Sequence, residues 1–169
     1  GYRRTPMNGD NGDDIMKQNV RESDAWGADV YYVSHTNASA EGNAKGCRPM
    51  YYTYSTEGKR LGEIMVKYRR QIYPGTVTLN ASTKWYELRV PKAVSFYEEH
   101  VFHDNLEDAT WFHTHMAEIA EGAAKGLSAY FGIPYVEPVE PVEPDKPAVL
   151  GNILLHGVDG DSGTWERVK

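Results

Sequence analysis

Cysteine is almost absent from this chain. A lone Cys47 cannot close an internal disulfide and cannot build a cysteine-rich zinc site. It reads as a small buried or semi-exposed residue, since no histidine pattern accompanies it that would make it a nucleophile. Long apolar runs are missing too, so no segment approaches membrane-spanning length, and no signal-peptide pattern opens the chain. Basic charge is also short. With 18 Lys and Arg against 24 Asp and Glu, the net charge of -6 argues against a dominant nucleic-acid role, which needs a basic face. What is present suits one globular domain with a tail: 169 residues, 40% apolar, with twelve tyrosines to supply aromatic contact area.

The chain reads as strands alternating with helices. Capping residues at Asp10 to Asp14 precede a helix over Ile15 to Ala25, with Ile15, Met16 and Val20 on one side and Gly27 as its stop. Asp29 to His35 is a first strand, ended by Thr36-Asn37 and a loop of small residues from Ser39 to Gly46. His35 therefore stands at a strand's C-terminal rim, where ligands bind in open α/β sheets, although a simple capping hydrogen bond would also explain it. Arg48 to Tyr54 is a second strand. Ser55 and Thr56 cap a helix whose stripe is Leu61, Ile64, Met65, Tyr68 and Ile72, and whose opposite face carries Lys59, Arg60, Lys67, Arg69 and Arg70. That basic face is expected in solvent, with contact to an anionic polymer as the alternative. Pro74-Gly75 stops the helix.

Thr76 to Lys84 is open between strand and turn. Val94 to Glu99 is a third strand, and period two sends Glu98 and Glu99 to opposite sides of the sheet, so the two carboxylates do not form a dyad. From Leu106 one long helix of about five turns keeps Phe112, Met116, Ile119, Ala123, Leu127 and Tyr130 on one face, closing at Gly132 and Pro134. His113 and His115 fall on different faces of it. The expected fold is a layered α/β domain with a mostly parallel central sheet flanked by helices.

Composition then changes. Val136 to Pro144 is three copies of Val-Glu-Pro, so residues 136–147 form an extended spacer, and residues 148–169 are too short to fold alone. Such a tether implies a further C-terminal module.

Separated patterns carry a family resemblance over roughly Gly1 to Tyr135. Arg21, Trp26-Gly27-Ala28-Asp29 and Ser34-His35-Thr36-Asn37-Ala38 resemble the centre of the zinc-dependent N-acetylmuramoyl-L-alanine amidases of the amidase type 3 family, found among phage endolysins and bacterial autolysins. Glu99-His100-Val101-Phe102-His103-Asp104-Asn105 is similar to that family's Glu-x-x-Phe-x-x-Asn segment, and Tyr130-Phe131-Gly132-Ile133-Pro134 to the end of its last helix. The resemblance implies that His35 is a zinc ligand, that Glu99 is the catalytic acid/base, and that Asn37 lies on the substrate side. It implies a peptidoglycan hydrolase that cuts the amide between N-acetylmuramic acid and L-alanine. Peptidoglycan is then the partner, with no nucleic acid or membrane, and a monomer working at the cell wall or outside the cell, or in host cytoplasm and then the wall if the protein is an endolysin. Residues 148–169 would be the remnant of a wall-binding module, and Gly157-Val158-Asp159-Gly160-Asp161 faintly resembles part of a peptidoglycan-binding repeat. Asp159 and Asp161 alone are too few oxygen ligands for calcium.

The chemistry fits those groups. Zinc polarises an amide carbonyl and lowers the pKa of a bound water, and a carboxylate beside it carries the proton to the departing amine. Departures from the family pattern set the remaining expectations. The family's earlier histidine turn and earlier glutamate have no counterpart, and Asp13, Asp14 and Glu22 do not match the latter. The chain is therefore expected to lack the family's first strand, first helix and second strand, and to bind zinc weakly or not at all. The alternative is a non-catalytic wall-binding or interaction module with a degenerate metal site. His100 and His103 are expected in a loop ahead of the helix, with substrate-side or structural roles favoured over metal ligation. Ser34 lies in no nucleophile-elbow pattern.

Overall fold

The computed structural model describes residues 12–138. The first eleven residues, the Val-Glu-Pro spacer from Val139 onward and the 148–169 segment with its Asp159 and Asp161 lie outside the described residues.

Helix α1 (Gly12–Trp26) carries Asp13 and Asp14 in its first turn, where carboxylates meet the positive end of the helix dipole. It ends at Gly27, whose φ of 70° is the left-handed conformation that a glycine adopts without strain. The chain turns directly into β1 (Val30–Asn37), followed by β2 (Arg48–Tyr52) and α2 (Thr56–Ile72). Ser55 caps α2 as its sequence suggests, its Oγ accepting from the Gly58 N–H at 2.9 Å. A short β3 (Asn80–Ser82) and a one-turn α3 (Tyr86–Arg89) lead to β4 (Val94–Phe102), and α4 (Leu106–Thr114) and α5 (Met116–Phe131) close the described chain.

The sheet order is β1-β4-β2-β3. β1 and β4 run parallel, β2 and β3 run parallel, and β2 and β4 meet antiparallel, so the sheet is mixed and mostly parallel. As far as Glu99, odd-numbered residues of the central β4 face α1 and α3, where Tyr97 packs with Val20, Tyr31, Val33 and Leu88, while Val101, beyond the register shift, packs with Val66 and Ile119. Even-numbered ones face α2 and α5, where Phe96 packs with Leu61 and Met65. This alternation separates two adjacent glutamates onto two layers.

Three expectations are corrected. Arg69, placed on the solvated face of α2, is only 3% exposed. It follows Leu61 and Met65 at steps of four, which puts it on the buried stripe, while Lys59, Arg60, Lys67 and Arg70 remain exposed. The third strand does not stop at Glu99. Val101 and Phe102 continue it, so His100 is a buried strand residue and only His103 lies in the turn beyond. The long C-terminal helix is two helices, broken at His115 (φ −123°, ψ 24°), whose Nδ1 meets the Trp111 carbonyl oxygen at 2.9 Å. The apolar spacing runs through the break unchanged, which is why the pattern conceals it.

Candidate functional site

The rim of β1 and β4 is built first from backbone. Parallel pairing sets Ser34 beside Glu98 and His35 beside Glu99, and the register then shifts between His35 and Asn37. The shift lets the two strands diverge. Asn37, the last residue of β1, turns its Oδ1 to accept from the adjacent Ala38 N at 2.8 Å, and its carbonyl oxygen accepts from His103 N at 2.9 Å. Thr36 Oγ1 lies 3.1 Å from His103 Nδ1. The small-residue loop after β1 is tied to the same rim, since Ser39 N donates to Asp104 Oδ2 at 2.7 Å.

On the α1/α3 layer His35 Nδ1 stands 3.7 Å from Glu99 Oε2, with its other contact, the Thr36 carbonyl oxygen, at 3.2 Å. Burial works against a charged imidazole here, but the neighbouring carboxylate and that carbonyl more than offset it, so the His35 pKa is raised. Glu99 is 5% exposed, and its Oε2 is buried with no hydrogen-bond partner among the described residues. A buried carboxylate oxygen left unsatisfied is expensive, and such exceptions concentrate where a ligand or a proton is to be received.

Around this pair lies a second tier that the sequence did not disclose. Arg48 of β2 is the antiparallel partner of Glu99, so His35, Glu99 and Arg48 form one row across three strands. Arg48 is half-buried, and no hydrogen bond or ion pair among the described residues holds its guanidinium. Glu87 of α3 is buried and accepts from the Tyr31 hydroxyl at 2.7 Å. Burial raises its carboxyl pKa despite that bond and the nearby His35. Tyr97 lies beneath, its ring 5.5 Å from the His35 ring. The strand pairing of Arg48 could have been guessed only with the register in hand. Glu87 sits on a helix too short to show a period.

The opposite layer holds a different network. Glu98, 1% exposed, accepts from Arg69 Nε at 2.7 Å and from the Tyr32 hydroxyl at 2.6 Å. Burial pushes its carboxyl up, and the charges of His100 when protonated and of Arg69, with those hydrogen bonds, bring it down to about 2. Ser34 Oγ is 2.8 Å from His100 Nε2, and His100 Nδ1 is 3.7 Å from Glu98. The order Ser, His, Glu looks like a hydrolytic triad. Arg69 decides otherwise. Its Nη2 lies 3.0 Å from His100 Nδ1 and can only donate, so Nδ1 must carry the lone pair and Nε2 the proton. His100 then donates to Ser34, the reverse of what a general base must do. Burial holds the imidazole neutral, with its pKa lowered to about 4. This network is structural.

A zinc ion of the catalytic kind takes three protein ligands and keeps one open position. Among the described residues no group of three or more His, Cys, Asp or Glu side chains is disposed to hold a metal. His35 and Glu99 offer one imidazole and one carboxylate, and that donor set by itself does not fit the ion. Asn37 is present at the rim with its Oδ1 already engaged.

The catalytic domain of CwlV, an N-acetylmuramoyl-L-alanine amidase from Bacillus (Paenibacillus) polymyxa var. colistinus, superposes with a TM-score of 0.64 at 21% identity, over 70% of this chain and 66% of that one. The catalytic domain of the CD27L endolysin, which targets Clostridia difficile, gives 0.61 at 19% identity over 75% and 67%. The CwlD amidase from Clostridioides difficile, solved with the GerS lipoprotein, gives 0.66 at 16% identity over 71% and 63%. The match thus spans about two thirds of the length of these chains. No protein-family model and no curated protein matches the sequence. The fold is that of the N-acetylmuramoyl-L-alanine amidases.

Proposed function

We propose that this chain acts on peptidoglycan as an N-acetylmuramoyl-L-alanine amidase, with Glu99 as its proton carrier and His35 as the polar group facing it. The observation that carries the reading is the His35–Glu99 juxtaposition at the rim of the parallel pair, with a buried carboxylate oxygen left unpaired, in a fold shared with amidases of that specificity. Glu99 takes the proton of the attacking water as its oxygen bonds to the lactyl carbonyl carbon. The C–N bond to L-alanine then breaks, and the same carboxyl group returns the proton to the departing amine. The products are a muramyl carboxylate and a peptide with a free L-alanine terminus. A carboxylate beside an imidazole and without competing hydrogen bonds is suited to that shuttle. Action at the cell wall follows from the substrate, and no helix among the described residues is long and apolar enough to cross a membrane.

His35 is the imidazole that the resemblance assigns to the metal, so metal analysis of the purified protein beside His35→Ala tests that assignment directly: stoichiometric zinc lost on substitution supports it, and equal metal content in both rejects it. Asn37, the other rim residue, is proposed to approach substrate through its amide nitrogen.

The incomplete donor set among the described residues favours a second reading, a wall-binding module without catalysis. The deciding experiment is digestion of purified sacculi, followed by mass spectrometry and quantification of new amino termini. Release of peptides beginning with L-alanine, lost in Glu99→Gln, is the expected result. Binding to sacculi with no new termini would establish the second reading instead, and cleavage at a glycosidic or peptide bond would overturn the proposal.

A further inference from the structure

Trp85 is a large aromatic residue left 37% exposed beside the site. It is the N-cap of α3, where Ser, Thr, Asp or Asn would accept from a free helix N–H, and its side chain makes no capping bond. The indole instead stacks on Tyr97, with centroids 5.7 Å apart and planes 23° from parallel, and Tyr97 lies against His35. Three rings thus lead from the surface to the His35–Glu99 pair. The platform is rigid from below: Tyr97 is buried at 4%, and the turn of α3 after Trp85 is anchored by Leu88 in the core and by Glu87 on Tyr31. On the outer side the exposed Lys84 has its Nζ 5.4 Å from the ring centroid.

We infer that the Trp85 indole is the stacking platform for a sugar ring of the glycan strand, and so a substrate-positioning residue for the proposed amidase. This inference rests on the peptidoglycan reading above. A pyranose presents one face of C–H groups, flat and weakly hydrated, whose positive hydrogens match the negative face of an indole. Holding that surface rigid before binding spares the ordering entropy that a flexible contact would lose. The stem peptide starts with L-alanine, whose methyl group offers no comparable flat face. The occupant is therefore a sugar of the strand, held on an indole that is itself two ring contacts from the imidazole, while the lactyl amide lies over His35 and Glu99.

The experiment measures binding of the full chain to purified sacculi, with peptide-free glycan strands and free stem peptide as separate competitors. Trp85→Ala is expected to weaken sacculus binding roughly 10-fold and Trp85→Tyr to recover most of it. Glycan strands should compete against the unsubstituted chain and lose that advantage against Trp85→Ala, and circular dichroism with thermal melting checks that the variants fold alike. Unchanged binding by Trp85→Ala, or competition by stem peptide and not by glycan, would overturn the platform while leaving the amidase reading intact. Failure of the unsubstituted chain to bind sacculi or glycan at all would overturn both. If Trp85→Ala is misfolded, the pair Trp85→Tyr and Trp85→Leu decides: binding kept by the ring and lost with the aliphatic side chain supports the platform, and equal binding by both rejects it.

Discussion

His35 and Glu99 are register partners on parallel strands, with Nδ1 and Oε2 3.7 Å apart and the carboxylate oxygen otherwise unpartnered. The pair should separate chemistry from stability. Replacing Glu99 with Gln removes the proton carrier and leaves the shape, so turnover on sacculi is expected to fall by about 10²–10⁴-fold. The melting temperature should hold or rise, because a buried charge with an unsatisfied oxygen contributes little to folding. Amino-terminus release and thermal melting measured on the same preparation check both halves. A large loss of stability with activity retained would move Glu99 out of the mechanism.

Glu98 should give the opposite result. It is locked to Arg69 and Tyr32 in a layer that the site does not touch. Arg69→Met leaves Glu98 with the Tyr32 hydroxyl and the Cys47 thiol but no fixed counter-charge, and is expected to lower stability by about 3–5 kcal/mol. Arg69→Met with Glu98→Gln should recover a large part of that loss, since the stranded charge is gone. Urea denaturation of the two variants makes the comparison. Equal stabilities would mean that the ion pair is not what holds this layer.

The contrast between adjacent glutamates shows what could be read from sequence. Period two in a strand sends neighbours to opposite faces, so their separation was legible before any fold was known, as was the rim position of His35. Arg69 was misplaced because its charge outweighed its spacing, although Leu61, Met65 and Arg69 already lay on one i+4 row. His100 was misplaced because the apolar run before Glu99 looked complete without Val101 and Phe102. Trp85 and Glu87 could not be found, since a one-turn helix has no period. Arg48 depended on an antiparallel pairing that no local pattern specifies.

Arg48 completes the row with Glu99 and His35, and its guanidinium has no partner among the described residues. If it meets an oxygen of the bound substrate, Arg48→Ala should raise KM by roughly 10-fold with a smaller change in kcat, the pattern of a contact made equally in ground and transition states. Arg48→Lys should recover part of the affinity, because charge survives and the planar fork does not. Steady-state kinetics on a soluble muropeptide read this out. An unchanged KM in Arg48→Ala would make the residue a bystander.

Acid should unfold the protein through the buried layer. The His100 pKa is lowered to about 4 in the folded chain, so from about pH 6.5 downward the unfolded state binds the proton first. The His100 contribution is therefore full above that range and declines as pH falls toward 4, whereas the raised pKa of His35 gives a contribution of opposite sign that is lost as pH rises. Glu98, lowered to about 2, adds a second decline below about pH 4.5. His100→Gln is expected to lose stability at pH 7, where it breaks contacts with Ser34 and Arg69, but to show a flatter profile between pH 6.5 and 4.5. Chemical denaturation across pH tests this. The same slope in both proteins would assign the acid sensitivity to other groups.

Asp108 gathers the structural side of the rim into one carboxylate. Its Oδ2 accepts from Gly46 N and Phe102 N, each at 3.0 Å, and its Oδ1 accepts from the Tyr73 hydroxyl at 2.6 Å. Those donors come from the approach to β2, the last residue of β4 and the end of α2, so one side chain fixes how three segments meet below Glu99. Asp108→Ala strands buried donors without replacement and is expected to lower stability by about 3 kcal/mol, whereas Tyr73→Phe removes one bond and should lower it by about 1 kcal/mol. The double variant should fall short of the sum, because the hydroxyl has no acceptor once the carboxylate is gone. Should the two losses add fully, the Tyr73 hydroxyl and the Asp108 carboxylate act independently, and the rim is held by packing of Phe102 and Phe112 more than by this hub.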